Sequence, residues 1–108
     1  MKLPDDTLIA SEKLTRYLLQ QRVEDDKSAF LAQAGYTLEN ADRLLADIRS
    51  QLLRLEAEFL DQTEYGPKYR IRGMLIAPNG RTLRVVTIWM TDDATGQTRF
   101  ITLYPDKI

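Results

Sequence analysis

The groups able to do chemistry in this chain are few in kind, because its 108 residues include no histidine and no cysteine. The missing imidazole is the side chain best suited to proton transfer near neutral pH and the commonest transition-metal ligand. The missing thiol removes cysteine nucleophiles, thiolate metal sites and disulfides. Acid-base work must therefore fall to Asp, Glu, Lys, Arg or Tyr. After residue 64 such groups interleave with rings and hydroxyls: Lys68, Tyr69, Arg70 and Arg72, then Arg81, Arg84, Thr87 and Trp89, then Thr102 and Tyr104. Guanidinium groups can steer a phosphate backbone and flat rings can stack on bases, so this mixture suits contact with a nucleotide strand. The same residues also have ordinary explanations. Thr, Tyr and Trp are good strand formers, Trp89 can anchor a core, and arginines are commonly just solvated.

No self-sufficient catalytic motif is present. There is no phosphate-binding Gly-rich loop, no Gly-x-Ser-x-Gly elbow and no spaced cluster of metal ligands, so neither a metal nor a cofactor is expected. A net charge of −1 argues mildly against nucleic-acid binding, which normally shows as a basic surplus. The average hides an asymmetry: residues 1 to 62 hold 8 Lys and Arg against 12 Asp and Glu, whereas residues 63 to 108 hold 7 against 4. The two halves thus carry −4 and +3.

The elements that must position these groups follow from periodicity. Ser11 suits the N-cap of a first helix, with Leu14, Tyr17 and Leu18 on one face, ending near Gln20 or Gln21. The acidic run Glu24-Asp25-Asp26 can open a short second helix from Lys27 to Ala34, which Gly35 ends. Lys27 opposes that helix's dipole, which calls for a carboxylate partner such as Glu24 or for a functional role. Thr37 then caps a long amphipathic helix in which Leu38, Ala41, Leu45, Ile48, Leu52, Leu55 and Phe59 recur at steps of three and four. That stripe can pack on a sheet or form the seam of a homodimer. Its carboxylates Glu39, Asp42, Asp47, Glu56 and Glu58 are expected on the solvated side.

After Tyr65-Gly66-Pro67 the period becomes two, which predicts strands over 68 to 77, 82 to 91 and 98 to 104. Pro78-Asn79-Gly80 suits a three-residue hairpin with Gly80 in the left-handed position, which sets Tyr69 opposite Trp89 and Ile71 opposite Thr87. The expected fold is α+β, one domain over 1–108, with N-terminal helices on one face of a three- to four-stranded antiparallel sheet. One sheet face would then carry Met74, Ile76, Val86, Ile88, Ile101 and Leu103. The other would carry Tyr69, Ile71, Thr87, Trp89, Phe100, Thr102 and Tyr104. The aliphatic face is expected beneath the helices, leaving the ring-and-hydroxyl face as a groove. No run reaches the roughly 18 apolar residues of a membrane span and no signal peptide is evident, so a cytoplasmic protein without membrane contact is expected.

Lys13-Leu14-x-x-Tyr17-Leu18-Leu19, Lys27-x-x-Phe30-Leu31-x-x-x-Gly35-Tyr36, Tyr65-Gly66-x-x-Tyr69, Ala77-Pro78-Asn79-Gly80-Arg81, Thr87-x-Trp89 and Thr102-x-Tyr104-Pro105 occur in that order. With them the chain resembles a bacterial family of uncharacterised small domains found in the manner of toxin-antitoxin pairs and at the ends of polymorphic toxins. The arrangement is similar to the barnase, EndoU, colicin and RelE grouping of ribonucleases, many of which use histidine. The resemblance implies an active face with Thr87, Trp89, Thr102 and Tyr104.

Three functions follow as expectations. The first is a metal-independent ribonuclease toxin acting on RNA. In it Lys27 or Lys68 exchanges protons with Tyr104, Arg70, Arg72 or Arg81 stabilises charge, and Tyr69 or Trp89 stacks a base. A lysine in that role needs a pKa far below its ordinary value of about 10.4. The second is a non-catalytic antitoxin or immunity-like partner that presents its acidic half to a basic protein. The third is a structural homodimer built on the long helix.

Overall fold

A computed structural model describes residues 1–19 and 28–106. Lys27, the acidic run before it and the positions Gln20 and Gln21 at which the first helix was expected to end lie outside the described residues. The first helix spans Lys13–Leu18 and the second Ser28–Ala32. A third helical segment runs without a break as a 3₁₀ turn Leu38–Asn40, an α-helix Ala41–Asp47 and a wide turn Ile48–Leu52. Four antiparallel strands follow in sequential order: β1 Glu58–Thr63, β2 Gly66–Ile76, β3 Thr82–Thr91 and β4 Thr98–Pro105.

Local chemistry explains the ends of these elements. At Thr37 a reciprocal capping box forms, its side chain accepting from the Asn40 backbone while the Asn40 amide oxygen accepts from the Thr37 backbone N–H at 2.8 Å. Leu14, Leu18 and Leu31 reach the core from the first two helices, and Leu44, Ile48 and Leu52 from the third. The Pro78-Asn79-Gly80 hairpin forms as its residues dictate, with Gly80 at φ 88° and Ala77 bonded to Arg81 across the loop. Tyr69 lies opposite Trp89 and Ile71 opposite Thr87. The Asn79 side-chain amide donates to the Gln33 carbonyl, which pins the hairpin to the end of the second helix.

The long helix does not extend as its periodicity predicts. It stops at Leu52, giving 15 helical residues, and Phe59 belongs to β1 instead. Neither glycine nor proline marks this stop. Pairing with β2 gives residues 58 to 63 a ladder of backbone hydrogen bonds and sets Phe59 edge-on to Tyr69 at 6.2 Å between centroids. The two ends of the predicted stripe, Leu38 and Phe59, are 52% and 59% exposed. Its middle is consumed by packing on the sheet, so the seam on which a homodimer was expected is not there as a surface element. One of its carboxylates departs from the expected solvated side: Asp47 is buried, whereas Glu58, now in β1, stays exposed.

The larger correction concerns the sheet faces. The helices cover Ile71, Leu75, Val85, Thr87, Trp89, Phe100 and Leu103, and the other face is open. Charge decides this outcome. Strict alternation puts Lys68, Arg70, Arg72 and Arg84 on the aliphatic face, and burying unpaired cations costs far more than burying one threonine whose hydroxyl is bonded. The Thr87 hydroxyl is so bonded, donating to the Ile71 carbonyl at 3.1 Å and accepting from the Trp89 indole at 2.7 Å. Gly73 adds a steric reason: a Cβ there would lie 2.6 Å from a Leu55 methyl and 2.9 Å from a Leu52 methyl, so its absence lets the helical layer sit close. A bulge in β4 between the partners of Ile88 and Trp89 then resets its parity. Phe100 and Leu103 enter the core, whereas Thr102 and Tyr104 pass to the open face beside Ile88 and Val86.

A cationic furrow as the candidate functional site

The open face is built in transverse rows by the strand register. Glu58, Arg70, Ile88 and Thr102 form one row across all four strands. Asp61, Lys68, Met90 and Arg99 form the row on one side, and Arg72, Val86 and Tyr104 the row on the other. Val86, Ile88 and Met90 are buried although they stand outside the helix-packed core. They make an apolar floor on the central strand. Polar side chains from β2 and β4 flank this strip on both sides and cover most of it; the lane between them, parallel to the strands, is the furrow.

Its electrostatics are mixed but cationic. Lys68, Arg70, Arg72, Arg84 and Arg99 share the face with the carboxylates Glu58, Asp61 and Asp106. Arg70 donates from Nη2 to Glu58 Oε2 at 3.1 Å, which holds the exposed Glu58 carboxyl below its ordinary range. The same bond raises the Arg70 pKa, with smaller contributions from the nearby Tyr104 and Asp106. Arg72 Nε stands 4.0 Å from Asp106 Oδ2. Among the described residues, Arg70 Nε is the buried side-chain nitrogen or oxygen without a hydrogen-bond partner. A cleft of about 270 Å³ lined by Arg72, Gly73, Met74, Arg84 and Asp106 ends the furrow.

The expected site residues divide between the two faces. Lys68, Arg70, Arg72, Thr102 and Tyr104 come together on the furrow. Thr87 and Trp89 are sealed beneath the helices at zero exposure, so neither can meet a ligand, and the face expected to be their groove is core. Tyr69 is on the helix side, half-buried against Phe59. Arg81 stands in the hairpin loop, beyond the rows. Lys68 is four residues along β2 from Arg72, about 14 Å at strand spacing, so it and Tyr104 do not flank one phosphate.

Sequence reasoning missed Glu58 and Asp106. The first was read as helix, and the second lies beyond the last expected strand. A pattern in which Lys68, Arg70 and Arg72 recur every second residue was the available signal that this face stays in water.

A larger recess of about 540 Å³ lies among Leu19, Ala29, Ala32, Tyr36 and Leu38, with Ser28, Thr37 and Glu39 also lining it. It gathers no cation among the described residues. Its one ring hydroxyl is already committed: Tyr36 donates to Asp47 at 2.6 Å, and Arg43 bonds the same carboxylate at 3.0 Å. Among the described residues no group of three or more His, Cys, Asp or Glu converges as a metal site would require, and no helix is long and apolar enough to cross a membrane.

Comparison with known proteins gives fold and family. No curated protein matches the chain. Its structure is similar to a chain of the contact-dependent growth inhibition toxin–immunity protein complex from Klebsiella pneumoniae 342, with a TM-score of 0.62 and 16% sequence identity, over 93% of this chain and 100% of that one. At that identity the likeness is one of fold. The ribonuclease grouping implied by the sequence motifs is carried by neither comparison. Residues 2–107 match the family profile of a domain of unknown function, and the chain belongs to that family, DUF6883.

Proposed function

We propose that this protein is the toxin of a bacterial toxin and immunity pair and cleaves RNA without a metal, using the furrow rather than the ring-and-hydroxyl face. The observation that carries the reading is the collection of five cations around Thr102 and Tyr104 on one open sheet face, in a chain whose net charge is −1. The fold likeness to a chain from a toxin–immunity complex supports the biological setting. Cleavage through the 2′-hydroxyl needs a base, an acid and cations. The Tyr104 row and the Asp106 beside it supply all of them. The Asp106 carboxylate takes the 2′-hydroxyl proton as the 2′-oxygen bonds to phosphorus. The bond from phosphorus to the 5′-oxygen breaks, and the Tyr104 hydroxyl protonates that oxygen. Arg72, in the Tyr104 row, balances the charge on the phosphorane oxygens, and Arg70 holds the neighbouring phosphate. The products are a 2′,3′-cyclic phosphate and a 5′-hydroxyl.

The test is incubation of purified protein with bacterial RNA in a chelating buffer, followed by end-group analysis. Wild type should produce cyclic phosphate ends, and Tyr104→Phe should slow cleavage by about 10²- to 10⁴-fold, the usual worth of a positioned acid. RNA left whole by the wild type, or cleaved equally by the variant, contradicts the proposal.

One observation favours a second reading. The helical half carries −4, and the neighbouring structure is a complex of two kinds of component, so the chain can instead be the non-catalytic partner. In that case it leaves RNA intact and retains a basic protein at low salt.

A further inference from the structure

Lys68, Arg70 and Arg72 form a straight line of cations along β2, and the residues that flank this line differ sharply on its two sides. Same-face residues of an antiparallel strand recur about every 6.8 Å, a step comparable with the separation of successive phosphates along an extended nucleotide strand. On the outer side, β1 sets Asp61 beside Lys68 and Glu58 beside Arg70. Those carboxylates repel a polyanion. On the inner side lie the apolar floor of Val86, Ile88 and Met90 and then the hydroxyl wall of β4.

From this asymmetry we infer that the furrow takes single-stranded RNA lengthwise, one phosphate to each β2 cation, with sugars and bases turned toward β3 and β4. The inference rests on the ribonuclease reading for its substrate and adds strand state, direction and subsites. The cleft between Arg72 and Arg84 also holds the Asp106 carboxylate, so the line of phosphates ends at Arg72. Duplex RNA does not suit a single line of charge, because it presents two backbones across a wide, shallow minor groove.

The experiment measures binding of a 2′-O-methyl oligoribonucleotide, which lacks the cleavage nucleophile, over a range of salt concentrations, with the matching duplex as competitor. Single-strand affinity falls with salt at a slope of about −0.7 per phosphate neutralised. Lys68→Ala, Arg70→Ala and Arg72→Ala should each make that slope shallower by about 0.7. Arg54→Ala, exposed in the turn after the third helix, should leave it unchanged. The duplex should compete poorly. Equal or tighter duplex binding, slopes indifferent to the three variants, or no RNA binding overturns the inference. The two proposals fail separately: a wild type that binds the methylated strand with the expected slopes but leaves natural RNA whole loses the nuclease and keeps the strand register. One that cleaves while the slopes ignore the variants does the reverse.

Discussion

At the scale of single residues, Thr87 shows how a hydroxyl is buried on the helix side of a sheet once both of its bonds are made. It bridges the Ile71 carbonyl and the Trp89 indole, and both groups are shut away from water. Thr87→Val keeps the shape but strands the indole N–H, and should cost about 1 to 3 kcal/mol in denaturant unfolding. Trp89→Ala should cost about 3 to 5 kcal/mol by opening a cavity. Both changes act on the fold, so RNA binding by the folded fraction should survive them, unlike that of furrow variants. Tyr36 gives a pH signature. Burial raises its pKa and the bond to Asp47 raises it further. The unfolded chain therefore loses the phenolic proton first, near its ordinary value of about 10. The contact's stability is complete below that pH and is lost as pH rises toward the folded value. Tyr36→Phe should lower neutral-pH stability by about 1.5 to 3 kcal/mol and flatten the alkaline decline, read from denaturant midpoints across that range.

At the scale of elements, the hairpin and the strand register were legible because each depends on local chemistry. Gly80 and its neighbours dictate the loop, the loop dictates the register, and the register holds from Lys68–Met90 to Ile76–Thr82 without a slip. The third helix was legible at its start, where Thr37 caps it, but not at its end. Leu55 and Phe59 continue the helical period while serving a turn and a strand, and only the long-range pairing with β2 reveals β1. The bulge near Ile101 left no mark in the pattern either, yet it decides which side Thr102 and Tyr104 occupy. Two glycines separate local strain from close packing. Gly80 has φ 88° with open space around it, so Gly80→Ala should cost only the left-handed penalty of about 1 to 2 kcal/mol. At Gly66, φ is 146° and a Cβ would press into the Thr91 carbonyl, so Gly66→Ala should be among the costlier single changes, about 3 kcal/mol or more in thermal or denaturant unfolding.

For the whole molecule, the division of charge decided more than the division of hydrophobicity. Periodicity alone sends the most aliphatic face to the helices and leaves the basic residues to steer a phosphate backbone or to meet solvent. The fold gives the cations precedence: their face stays in water, and the rings go inside with their one hydroxyl bonded. The α+β plan, the antiparallel sheet and the covering of one face by helices survive that reversal, because they rest on period and turn chemistry alone. Of the expected site, Lys68, Arg70, Arg72, Thr102 and Tyr104 remain together, now on the furrow. The most direct measurement of the account is inducible expression in bacteria with RNA integrity followed on gels, wild type against Tyr104→Phe and an Arg70→Ala, Arg72→Ala double variant. Growth arrest with shortened RNA for the wild type, relieved in both variants, is the predicted result. Normal growth with full-length RNA under wild-type expression would contradict it.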